Sequence, residues 1–279
     1  MPLKLMYITN RLDVALIAQK YGVDRIWIDL ETIGKEDRQK GIDAVKSHHS
    51  ISDISLIKPY LSTSEMLVRV NHWCDVSPKE INAVINAGAD IVMLPYWKTV
   101  EEVSRFLDAV GGRCKTTLLL ETKEAVEIVD EVLKLRGIDE FHIGLNDLHL
   151  SYGLDFMFEL LTNGIVETLC KKFSAMGIPY GFGGIAKIGD GIVPAERIIL
   201  EHYRLGSTRA ILSRTFCDNA KINSIEEIER VFRLNLKTLR DFEKYAAKAT
   251  EEILLKNRKE ICSAVDVEVD AVRNKRNGG

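Results

Sequence analysis

No apolar run in the 279 residues approaches the roughly 18 needed to cross a bilayer, so a membrane partner is not expected. Charge of one sign is also missing. With 38 Lys and Arg against 41 Asp and Glu, the net charge is −3, which argues against nucleic acid held on a basic face. Cysteines number only five, and Cys74, Cys114, Cys170, Cys217 and Cys262 lie far apart, with no pair at metal-ligand spacing. That excludes a zinc module or a disulfide framework and suits small buried thiols in a reducing, cytoplasmic setting. The start, Met1-Pro2-Leu3-Lys4, lacks the apolar stretch of a secretory leader. A Gly-rich dinucleotide turn is absent too: the first apolar run leads into Asn10-Arg11-Leu12-Asp13.

What is present is alternation. Apolar runs at 3–9, 25–30, 65–70, 91–96, 116–122, 140–145, 179–184 and 209–216 have the length of buried strands. Most are continuously apolar, as strands covered on both faces should be. Amphipathic helical patterns separate them, several with legible ends. Ser77-Pro78-Lys79-Glu80 predicts a capped start and Gly88 a stop, and Thr99-Val100-Glu101-Glu102 predicts another start before Gly111. The second connection, from Glu31 to Ser50, is long and irregular. Eight strand–helix units predict an α/β fold, a (β/α)8 TIM barrel, over residues 1–223. Residues 224–279 exceed what an eighth barrel helix needs. They predict a helical C-terminal extension, expected to pack on a neighbouring copy of a homo-oligomer rather than on its own barrel, and a frayed polar tail from Arg273.

In such a barrel the reactive groups stand at the C-terminal ends of the strands. The second run ends in Asp29-Leu30-Glu31, the third in Arg69-Val70-Asn71, the fifth in Glu121-Thr122 and the sixth in Gly144-Leu145-Asn146-Asp147. Carboxylates converging on one mouth repel unless a cation or shared protons compensate them, and a hard divalent ion held by oxygen is the simplest compensation. Glu121 and Asp147 end adjacent strands and are the expected metal ligands. Arg69 offers a planar fork for a carboxylate or carbonyl.

In order along the chain, Trp27-Ile28-Asp29-Leu30-Glu31, Leu67-Val68-Arg69-Val70-Asn71, the run from Gly88 to Pro95, Leu120-Glu121-Thr122 and Gly144-Leu145-Asn146-Asp147-Leu148 resemble the HpcH/HpaI aldolase and citrate lyase β-subunit family, over about residues 20–216. The resemblance implies Mg2+ or Mn2+ on Glu121 and Asp147. It implies a 2-oxo acid such as pyruvate whose keto oxygen meets Arg69 and whose carboxylate lies on backbone N–H groups near Gly144, Asn146 and Asp147. Asp29 and Glu31 would order water around the metal. The implied reaction is aldol cleavage or formation through an enolate, with an aldehyde or an anionic, for example phosphorylated, co-substrate. A citryl- or malyl-CoA type of thioester lyase or hydrolase, or a binding protein that keeps the metal site, are the other readings.

The sequence also departs from that family. Thr32 stands where aldolases of the family carry the His base, Asn86 where its Asp partner falls, and Leu119 where a Gln precedes the metal Glu. His48 and His49, in the second connection, are the candidates to replace the base. His149 could line the mouth, His142 reads as structural, and His72 and His202 as solvent-exposed or interfacial. The seventh run enters Gly181-Phe182-Gly183-Gly184, with Lys187 beyond it. Gly183, Gly184 and Lys187 are therefore candidates to hold a phosphate or other anion.

Overall fold

The computed structural model describes residues 1–33, 49–218, 221–222 and 224–277, so the predicted role of His48 lies outside the described residues. Eight parallel strands close into a barrel in sequence order: β1 (Lys4–Ile8), β2 (Arg25–Asp29), β3 (Glu65–Arg69), β4 (Ile91–Leu94), β5 (Lys115–Leu120), β6 (Glu140–Ile143), β7 (Tyr180–Ile185) and β8 (Arg209–Leu212). The helices are α1 (Leu12–Lys20), α2 (Ile51–Ile57), α3 (Ser77–Ala87), α4 (Val100–Val110), α5 (Lys123–Glu127), α6 (Val129–Val132), α7 (Leu145–Ser151), α8 (Glu159–Thr162), α9 (Ile165–Ala175), α10 (Ala195–Leu205), α11 (Ile225–Ala246) and α12 (Glu251–Asn277). The expected (β/α)8 barrel is therefore the observed one. Among the described residues no helix is long and apolar enough to cross a membrane.

Side chains alternate across each strand. In β2, Ile26 and Ile28 face the helices, while Arg25, Trp27 and Asp29 face the barrel axis. The interior stacks in layers. The middle is apolar: Met6, Trp27, Leu67, Ile91, Met93 and Leu119. Below it, toward the strand N-termini, is an ionic floor. Both Arg25 and Arg209 grip Glu140, Arg209 Nε at 2.6 Å, and Thr117 Oγ1 adds a bond of 2.7 Å. Burial alone would push the Glu140 carboxyl up, but Arg25, with Arg209 and Thr117, brings it down to about 2.

Helix ends follow the sequence in one case and depart in another. Thr99 caps α4 reciprocally with Glu102. Ser77 is instead the first residue of α3, and its Oγ accepts the Cys74 amide at 2.9 Å. The Glu80 carboxylate turns back to Asn71.

The C-terminal expectation needs correcting. α11 buries Ile228, Phe232, Leu236 and Leu239 as the eighth barrel helix, against α1 and α10. α12 then lies on its own barrel, along α8 and α10. Its stripe of Asn257, Ile261, Val265 and Val269 is buried, a four-residue spacing that keeps one face inward. The tail is not frayed at Arg273. The helix runs to Asn277, with Arg273 and Arg276 both on Asp155. All five cysteines are free.

Candidate active site

At the mouth, β2 and β3 pair in register, Asp29 opposite Arg69. The pairing puts two inward side chains side by side, and they form a fork-to-fork bridge: Arg69 Nε to Asp29 Oδ1 at 2.9 Å and a terminal nitrogen to Oδ2 at 2.8 Å. Arg69 reaches Glu31 Oε2 with its other terminal nitrogen at 3.3 Å, and its guanidinium lies 5.4 Å from the centre of the Trp27 ring. Burial works against the charge of Arg69, but Asp29, Glu31 and Glu121 hold the proton more firmly than usual. Asp29 thus has its oxygens on the arginine, a holder of Arg69 in addition to whatever it does for water.

Glu121 follows β5 and is buried. Its Oε1 accepts the Tyr96 amide at 3.0 Å. Tyr96 has φ of 52°, a left-handed conformation that a bulky residue rarely adopts, and the turn it makes after β4 aims that amide inward. The other oxygen of Glu121 lies beside Gly144: a Cβ there would stand 2.8 Å from Oε2. Gly144 is the N-cap of α7, and Asp147 sits half-buried in that helix's first turn. Strand pairing of Leu120 with Ile143 brings Glu121 and Asp147 to the same rim. Among the described residues no three His, Cys, Asp or Glu gather closely enough to form a metal cluster on their own. Two carboxylates still suit Mg2+, which keeps several waters and is commonly bound by one or two side chains plus substrate oxygens. Leu119, facing inward two residues before Glu121, gives this carboxylate an apolar underside.

His49 is brought to the same rim. Its Nδ1 accepts the amide of Asp29 at 2.9 Å. An amide can only donate, so the neutral ring carries its proton on Nε2. His149 is the opposite case: its Nδ1 faces the Leu145 carbonyl at 3.2 Å and must be the donor, which leaves the lone pair on Nε2. Thr32 is tied down by Asn71, whose Oδ1 accepts the amides of Thr32 at 2.9 Å and Ile33 at 3.0 Å. Asn86, in the last turn of α3, belongs to the opposite end of the barrel, so it does not face Thr32 within this chain.

Other expectations fare differently. His142 is buried in β6, as a structural residue, and burial brings it down to about 4. His202 is not exposed. It is fully buried in α10, stacked on Phe182 at 3.9 Å and bonded to Ser207 Oγ at 2.7 Å, and burial lowers it to about 3. His72 is half-buried. Gly183 has a packing reason, since a Cβ would meet Leu145 Cδ1 at 2.7 Å, and Gly184 lies beside Ser213. Asn146 is exposed on α7, and Lys187 pairs with Asp190 at 3.1 Å. The amide of Tyr96 and the carboxamide of Asn71 were not singled out from the sequence. The sequence pattern carries the strand through Tyr96, whereas β4 ends at Leu94 and Pro95-Tyr96 form the turn.

The family model described as HpcH/HpaI aldolase/citrate lyase matches residues 5–157, more than half of the chain and all of the rim from Asp29 to Asp147. The chain belongs to the HpcH/HpaI aldolase/citrate lyase family. That family is one of carbon–carbon lyases, which places the chain among enzymes acting on small molecules. No curated protein matches. Solved structures share the fold at low identity. An HpcH/HpaI aldolase from Desulfitobacterium hafniense DCB-2 aligns with TM-score 0.60 and 14% identity over 86% of this chain and 93% of its own. An HpcH/HpaI aldolase/citrate lyase family protein from Burkholderia cenocepacia J2315 gives 0.59 and 14% over 86% and 94%. The citrate synthase SbnG gives 0.58 and 14% over 86% and 94%.

Proposed function

We propose that this member of the HpcH/HpaI family is a divalent-metal-dependent aldolase that cleaves or forms a 2-oxo acid aldol by way of a pyruvate-type enolate. The observation that supports this most is the meeting at one rim of Arg69, locked by Asp29 and Glu31, with the buried Glu121 and the adjacent Asp147. Glu121 and Asp147 would hold Mg2+ or Mn2+, which when bound would polarise the keto group of the substrate as a Lewis acid. Arg69 keeps its charge and its fork orientation because Asp29 pins it. It is therefore preorganised for the negative charge that grows on the keto oxygen. The first-turn amides of α7, at Asn146 and Asp147, have no carbonyl within the helix to bond and would take the substrate carboxylate. Gly144 leaves room for Glu121 beside them. His49, with its proton on Nε2, would donate a hydrogen bond to the substrate at the rim, while a water ordered by Glu31 and Asp29 would take the proton from the methyl group and return it to the enolate.

The test is exchange of the pyruvate methyl protons in D2O, followed by NMR with and without Mg2+ or Mn2+. The wild-type protein should exchange only with metal. Glu121→Gln and Asp147→Asn should each slow exchange at least 100-fold, about 3 kcal/mol of barrel-mouth chemistry, with circular dichroism unchanged. Absence of exchange with any metal in a folded protein would overturn the reading.

A further inference from the structure

A second cavity opens on the mouth side of the barrel, outside residues 5–157 that carry the family match. It has a volume of about 600 Å³, enough for a small ligand, and lies between the segments that follow β7 and β8 and the first turns of α11. Four basic side chains line it, Lys187, Arg214, Lys221 and Arg230, with one carboxylate, Asp218. They come from three separate stretches of chain, so their convergence is a product of the fold and not of a local charge run.

The backbone that carries Arg214 and Asp218 is pinned from below. Tyr7 Oη donates to the Cys217 carbonyl at 2.8 Å, and Asn235 Nδ2 to the Phe216 carbonyl at 2.9 Å. Three of the cations sit in solvent-exposed ion pairs. Lys187 meets Asp190 at 3.1 Å, Lys221 meets Asp218 at 3.0 Å and Arg230 meets Glu227 at 2.6 Å. These lysine and arginine side chains are 45%, 81% and 56% exposed. Exposed pairs of this kind are screened by water and weak, so a doubly charged anion can displace them. Val231 and Leu234 supply an apolar wall for the rest of a ligand.

We infer that this cavity binds the phosphate group of a phosphorylated co-substrate, whose carbonyl end reaches toward Arg69 and Glu121. The inference deepens the aldolase reading and rests on it for the carbonyl end. A phosphate monoester is close to a dianion at neutral pH and offers three acceptor oxygens, a match for Arg214 and Arg230 flanked by Lys187 and Lys221. In (β/α)8 barrels the loops after the last two strands are also where phosphate is most often bound. The seventh-strand glycines contribute little here: Gly183 is committed to Leu145.

The experiment is calorimetric titration of the whole chain with glycerol 3-phosphate, inorganic phosphate and glycerol at fixed ionic strength. Both phosphates should saturate at one site and glycerol should not. Lys221→Gln/Arg230→Gln should weaken phosphate binding at least tenfold, and Glu121→Gln should leave it intact. Tighter binding of glycerol 3-phosphate than of inorganic phosphate assigns the group to an ester carried by the co-substrate, while equal affinity assigns it to free phosphate. No saturation, or equal affinity in the double variant, overturns the site. Failure of pyruvate exchange in a protein that still binds phosphate overturns only the aldolase reading, and exchange without phosphate binding overturns only this one.

Discussion

Gly144 is the residue on which the two halves of the rim depend. Its missing Cβ is the space that Glu121 Oε2 and Leu119 Cδ1 occupy, at 2.8 and 3.2 Å from where that carbon would be. The conservative change Gly144→Ala therefore strikes a carboxylate whose other oxygen is fixed by Tyr96, so Glu121 has to swing away. Pyruvate exchange should fall at least tenfold, while the unfolding free energy from urea titration drops by less than the roughly 1–3 kcal/mol typical of overpacking a core. Unchanged exchange in the variant would show that Glu121 does not need this position. Residue types at this rim were legible in the sequence because strand ends are easy to find from the apolar runs before them. Partnerships were not. Asp29 meets Arg69 across 40 residues. Only strand pairing in register brings them together, and no local pattern states a register.

α12 shows how an element can be foreseen and misplaced. Its length and charge were plain in the sequence, but the stripe of Asn257, Ile261, Val265 and Val269 is a narrow one in a mostly polar helix, and a narrow stripe fits a neighbour as well as its own barrel. The contacts with α8 and α10 decide for the latter. They also decide which substitutions matter. Ile261→Ala removes a fully buried side chain and should cost about 2–5 kcal/mol in urea unfolding. Arg273→Ala breaks a bridge to Asp155 whose arginine is 58% exposed, and should lower stability far less than Ile261→Ala does. Equal losses would mean that α12 is held by its charges and not by its stripe. His202 was misplaced for a related reason. Ile198, Ile199 and His202 share one helical face, so the pattern for burial was there, but a polar residue on such a face is read as an edge until its neighbour, here Phe182, is known.

The whole molecule should be sensitive to acid from within. Glu140 is held at about 2 against an ordinary value of 4.5, so its contribution is complete above 4.5 and fades as pH falls toward 2. His142, at about 4, and His202, at about 3, refuse a proton that the unfolded chain accepts near 6.5. Their contribution is complete above 6.5 and is lost as pH falls below it. All three shifts have the same sign, so stability should rise with pH across this range. Urea midpoints at pH 7, 5 and 4 should decrease in that order, and a midpoint that stays constant would mean these groups titrate normally. The barrel itself, eight strands in chain order, was legible because each apolar run is a strand that needs no distant information to be recognised. The ionic floor was not, because Arg25, Glu140 and Arg209 look like ordinary strand beginnings until the barrel closes around them.

That floor has a consequence for traffic. With Arg25, Glu140 and Arg209 sealing one end and Met6, Trp27 and Leu67 filling the middle, the barrel is a cup and not a pipe. Whatever settles deepest, at the level of Glu121 and Arg69, arrives and departs through the same opening as everything stacked above it, so the first reactant in is the last one out.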